Sequence, residues 1–179
     1  MATPYKISNN NDRYVNGDTK GHRAPQPPPV DIALHRGDIT ARRDSDKRPI
    51  PVSELGAAFA SALLARQAAH DFFWGINQVA LPDEDLGQRP TLSRAGVYKY
   101  PLEAPANNIE DGDFIGVSAV DIGGGNFQCQ NQAVIKVATL EESIGRARTL
   151  VGAGGDNITE VEVEIVSSIS DGGVQALVT

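Results

Sequence analysis

A chain of 179 residues with 40% hydrophobic and 22% charged residues has the apolar material for one packed domain plus an arm or tail, and too much of it for wholesale disorder. Its net charge of -7 argues against nucleic acid as the main partner, because phosphate binding needs an excess of Lys and Arg on one face. The single cysteine, Cys129, excludes an internal disulfide or a cysteine-built zinc site, and no apolar run approaches the roughly 20 residues that span a bilayer.

The first ten residues lack the charged-then-apolar order of a secretory signal, so none is expected. Residues 1–50 hold nine Lys or Arg against six Asp, a net of +3, and the remainder is left with -10. Six of the eleven prolines also fall there, with Pro27, Pro28 and Pro29 in a row and an Asn tract at 9–11. Without apolar periodicity and with a polyproline tendency, residues 1–50 are expected to be an extended arm laid across neighbours in an assembly. Its expected anchors are Tyr5, Tyr14 and the three prolines, with Arg13, Arg23, Arg42 and Arg43 meeting acidic surfaces.

From residue 51 the pattern is that of a globular domain running to 179. Pro51-Val52-Ser53 reads as a helix start with Ser53 as N-cap, and a helix is expected near 53–70. Leu55, Phe59 and Leu63, with Ala58 and Ala62 beside them, make one apolar stripe on it. The period then changes to two: Ile76 to Leu81, Gly96 to Tyr100, Phe114 to Val117 and Phe127 to Ala138 read as strands. Gly123-Gly124-Gly125 is expected to turn the chain between the last two. Val161, Val163 and Ile165 alternate with Glu160, Glu162 and Glu164, a strand with one wet face. The fold class that follows is mainly β with one helix (α+β), a small β barrel or sandwich carrying an extended N-terminal arm.

Candidate chemistry is sparse. His22, His35 and His70 have no metal-ligand neighbour at helical spacing, and His70 fits better as a helix-end residue near free carbonyls. Glu110, Asp111 and Asp113 around Gly112 read as a turn entering a strand, since Phe114 and Ile115 stand where a calcium loop needs oxygen ligands. The glycine clusters at 123–125 and 152–155 lack the following Lys-Ser/Thr of a phosphate loop, and no serine lies in a nucleophile elbow. Cys129, between Gln128 and Gln130, reads as a buried structural thiol. No enzyme activity, cofactor or metal is expected. Arg42, Arg43, Lys47 and Arg48 are interleaved with Asp44 and Asp46, which suits an acidic protein surface better than a phosphate backbone.

Two stretches carry a resemblance. The first runs from Leu63 through His70-Asp71-Phe72-Phe73-Trp74-Gly75-Ile76 to Ala95-Gly96-Val97-Tyr98. The second is Ile144-Gly145-Arg146-Ala147-Arg148, then Gly154-Gly155-Asp156, then Val161 to Ile165. Their order resembles that of small head proteins of tailed bacteriophages, the decoration or cement type, over residues of about 55 to 166, with Trp74 and Ile76 where leucine and valine are commoner. The resemblance implies a non-enzymatic β-rich virion protein, made in the host cytoplasm and bound on the capsid exterior, which stabilises the head against internal DNA pressure. It further implies the major capsid protein and neighbouring copies as partners, a trimer being the oligomer to test, with neither nucleic acid nor membrane contacted directly. The alternatives are another phage structural role, in neck, tail or baseplate, and a small ligand-binding β-barrel domain.

Overall fold

The alternating run from Val161 to Ile165 can hide its apolar side only if another surface covers it, and the chain supplies that surface by closing a sheet on itself. A computed structural model describes residues 14–16, 22–56, 58–81, 87–106, 108–148 and 158–166. In chain order its strands are β1 (Tyr14–Asn16), β2 (His22–Arg23), β3 (Ile39–Arg42), β4 (Pro49–Pro51), β5 (Phe73–Asn77), β6 (Thr91–Ser93), β7 (Ala95–Ala106), β8 (Phe114–Gly123), β9 (Asn126–Lys136), β10 (Ser143–Ala147) and β11 (Ile158–Val166). One α-helix, α1 (Ala62–Phe72), lies between β4 and β5 among the described residues.

The molecule is mainly β, built on a closed five-stranded barrel of order β7-β11-β10-β8-β9. Neighbours are antiparallel except at the closure, where Leu102 of β7 meets Val134 of β9 in a parallel pair. β1 adds to the N-terminal half of β7, opposite Tyr98 and Val97. Val161, Val163 and Ile165 point into the core beside Tyr98, Tyr100, Ile115 and Val117, while Glu160, Glu162 and Glu164 stay on the outer side. The expected glycine turn is a hairpin: Gly123 pairs with Asn126, leaving Gly124 and Gly125 as a two-residue loop with φ of 68° and 76°. Positive φ at both central positions matches the twist of the flanking strands and favours glycine at each.

The second sheet, order β2-β6-β5-β3-β4, corrects the expected boundary at residue 50. Ile39, Ala41 and Ile50 are fully buried and join Phe73 and Ile76 in the same core cluster as the barrel residues. Residues 22–50 therefore belong to the folded body. Their apolar runs are only two or three residues long between charges, so averaging over fifty residues conceals them. Residues 1–13 lie outside the described residues.

The helix is also shorter than expected and starts later. Val52–Glu54 is a single 3-10 turn in which Ser53 caps nothing with its side chain, and Ser61 is the N-cap, its Oγ accepting from the Leu64 N–H at 3.2 Å. Between them Phe59 pairs by backbone with Phe127 of β9 in an isolated bridge. The buried positions of α1 are Ala65 and Ala69, and Leu63 and Leu64 face outward at 44% and 48% exposure. Alanines at i and i+4 let the helix axis come close to β8 and β9, so the smaller residues, not the leucines, form the seat.

Candidate interaction surface

Ionisable and polar groups inside the described residues are tied into the frame. Asp38, almost fully buried, accepts from the His35 N–H and from Gln132 Nε2 of β9, both at 2.6 Å. Asn77 Nδ2 donates to the carbonyls of His35 and Val79, and the Tyr100 hydroxyl donates to the Gly37 carbonyl at 3.1 Å. Together these bonds fasten the turn before β3 to the barrel wall, a bracing role that needs every donor it uses.

A second set holds α1. Arg66 pairs with Glu142 at 2.7 Å where both side chains are largely covered, and Thr139 donates to the other carboxylate oxygen. His70 Nδ1 lies 2.6 Å from the Ser143 carbonyl, which accounts for this histidine structurally, at the helix end. Cys129 is buried with its thiol donating to the Ala65 carbonyl at 3.3 Å, and burial pushes its pKa up to about 12. The acidic turn is the strand entry the sequence suggested: Asp113 accepts from the Glu110 N–H and pairs with Lys136, Gly112 takes a φ of 88°, and β8 follows. Among the described residues no three His, Cys, Asp or Glu side chains gather as a metal site requires.

The expected partner-binding residues separate. Tyr5 and Arg13 lie outside the described residues, and Tyr14 is described only as a backbone partner of Tyr98. Pro28 and Pro29 are buried and Pro27 half-buried within the chain's own body, which corrects their reading as anchors for a neighbour. Arg43 is also engaged locally: it pairs with Asp46, which Arg48 reaches at 3.5 Å, and Lys47 pairs with Asp44. The Arg43 hydrogen bond leads the effects that hold the Asp46 carboxyl down at about 2. Arg23 and Arg42 remain exposed.

The segments behind the resemblance come together as wall and joint. His70, Asp71 and Phe72 end α1, and Gly75 sits in β5 with φ 144°, where a Cβ would come 2.6 Å from the Ser93 carbonyl oxygen. Gly96 and Val97 of β7 pair with Ile165 and Glu164, and Ile144 and Gly145 lie in β10 on the other side of β11. Gly154 to Asp156 lie outside the described residues.

Sequence reasoning passed over Arg94, in the link between β6 and β7. It is partly buried, its Nε has no hydrogen-bond partner, and no spacing rule singles it out. The other exposed feature is apolar: Leu63 and Leu64 on α1 and Ile122 near the tip of the β8–β9 hairpin. Compared with family models, curated proteins and solved structures, the chain has no match in any of the three.

Proposed function

We propose that the chain is a structural protein of a tailed-phage virion that binds the outer capsid surface and cements neighbouring capsomers, without catalysis. The observation that carries this reading is the arrangement of the residues behind the resemblance: segments 95–98, 144–148 and 161–165 fall on β7, β10 and β11, three successive barrel strands. Segment 70–76 is the joint between α1 and β5. A second support is the use of the polar interior, where Asp38, Glu142, His70 and Cys129 each hold one element to another and none is paired as nucleophile and base. A cement protein needs such a rigid body and an outer surface that contacts protein, here the uncovered Leu63, Leu64 and Ile122.

Copy number in purified particles tests the reading, measured by mass spectrometry against the major capsid protein. A cement role gives a fixed simple fraction of the capsid protein, as shell symmetry requires. A handful of copies per particle moves the protein to neck, tail or baseplate, and absence from particles ends the structural reading.

A further inference from the structure

We propose that Arg42 and Arg94, on the small sheet, form a two-guanidinium site that takes a carboxylate presented by an acidic segment of a partner protein. β3 and β6 flank β5, and the registers bring the two arginines to the same region of the sheet. Arg42 follows the Ala41–Phe73 pair, and Arg94 follows the Ile76–Ser93 pair. Trp74, buried with Leu92 and Ala24 in a small cluster of its own, is the β5 residue between them.

Arginine elsewhere in the body is matched: Arg43 and Arg48 by Asp46, Arg66 by Glu142, Arg148 by Glu164. Arg42 and Arg94 have no ion pair among the described residues. Asp44, the carboxylate that feels Arg42, is paired with Lys47. Arg94 is the more exposed to this imbalance in energy, because its Nε is both buried and unpartnered. Its guanidinium is held below the ordinary arginine range, first by burial and then by the charge of Arg42. A guanidinium stays charged at any physiological pH, so the site cannot relieve the repulsion by losing a proton. An oxyanion can relieve it. The Nε and one Nη of Arg94 present the side-on fork that matches two carboxylate oxygens, and Arg42 adds a second positive group beside it.

Carboxylate on protein fits better than phosphate on nucleic acid. Two guanidiniums make a point, not a stripe, and Asp44 and Asp46 stand close by in the β3–β4 turn. A duplex with a charge every ~1.7 Å would meet those carboxylates as well as the arginines. The site does not depend on the partner being a capsid.

The test uses the full chain labelled for arginine Nε–H resonances, titrated in parallel with triglutamate, inorganic phosphate and a short single-stranded oligonucleotide at one ionic strength. Trp74, the chain's only tryptophan, gives an independent emission signal. Triglutamate is expected to move the Arg94 Nε–H resonance saturably, with the same midpoint in Trp74 emission. Arg94→Lys keeps the charge and loses the fork, so affinity falls by about tenfold or more, the value of one charge-assisted hydrogen bond. Arg42→Gln, at an exposed position that leaves folding intact, weakens binding by a smaller factor. The proposal is overturned if triglutamate leaves Arg94 unmoved, or if phosphate or the oligonucleotide binds more tightly than triglutamate. It is equally overturned if changing Asp83, Glu84 and Asp85 to their amides shifts the Arg94 resonance with no peptide present, because the chain then supplies its own carboxylate.

Discussion

The thiol of Cys129 is the most protected reactive group in the described body, with burial raising its pKa to about 12 despite the lowering influence of Arg66. A thiol needs its anion to react, so disulfide-exchange reagents at pH 8 are expected to label Cys129 only through opening of the barrel and α1. Labelling that matches the rate of an exposed thiol would contradict this packing. The sign of the linked pH effect also follows: the folded pKa is raised above the unfolded value of roughly 8.5, so stability is full below that pH and declines as pH rises toward about 12. Asp46 works in the opposite direction. Its folded pKa of about 2 lies below the unfolded ~3.9, so its contribution is present above ~4 and is lost as the pH falls toward 2. Its partners are partly exposed, which keeps that contribution small. Carboxyl-carbon NMR should show Asp46 titrating last among the described aspartates at the sheet edge, and Asp46→Asn should remove that low titration with only a slight change in acid unfolding. Gly145 makes the sharper stability prediction. A Cβ there would sit closer than 3.0 Å to the Glu164 carbonyl oxygen of β11, so Gly145→Ala must push β10 and β11 apart, at a cost of about 1–3 kcal/mol or more in a denaturant titration.

Capping distinguishes the element the sequence suggested from the one that forms. Ser61→Ala removes the side-chain acceptor of the Leu64 N–H and should destabilise the protein by about 1 kcal/mol. Ser53→Ala should have little effect, because Ser53 acts there through its backbone, receiving Asn131 Oδ1 at its N–H and Gln128 Nε2 at its carbonyl. Chemical denaturation of the two variants side by side decides between the two starts. The strands were the more legible elements for a physical reason. A half-buried strand writes its environment at period two, as Val161, Val163 and Ile165 do against their glutamates, and glycines 123 to 125 mark the turn directly. The helix wrote a misleading stripe. Leu63 is apolar and correctly spaced, but the barrel admits a close helix only where the side chain is small, so Ala65 and Ala69 took the buried face. The polar joint of Asp38, Asn77, Tyr100 and Gln132 left no signal, since its members are far apart in sequence and meet only through the registers of β3, β5, β7 and β9. Arg94 was invisible for the same reason.

At the scale of the molecule, the charge skew between residues 1–50 and the remainder divides the sequence at a place where the fold does not divide. Ile39, Ala41 and Ile50 share one apolar cluster with Ile115, Val163 and Ile165, so β3 and β4 belong to what the barrel packs on. Losing them would expose Phe73 and Ile76 on β5 and leave that strand without its β3 neighbour. A chain lacking residues 1–50 is therefore expected not to fold, and loss of capsid binding in that variant would say nothing about an arm. The discriminating variant lacks only residues 1–13. All of β1 to β11 remain in it, and its thermal unfolding midpoint should stay within a few degrees of the full chain, as no core residue is removed. If the N-terminal segment wraps neighbours, this folded variant should bind particles more weakly and in a salt-dependent manner, since Lys6 and Arg13 leave with it. Undiminished occupancy by the folded variant would assign binding to the body alone, to the α1 leucines and the small-sheet arginines. A collapse of its unfolding midpoint would instead mean that residues 1–13 contribute to the core's own support.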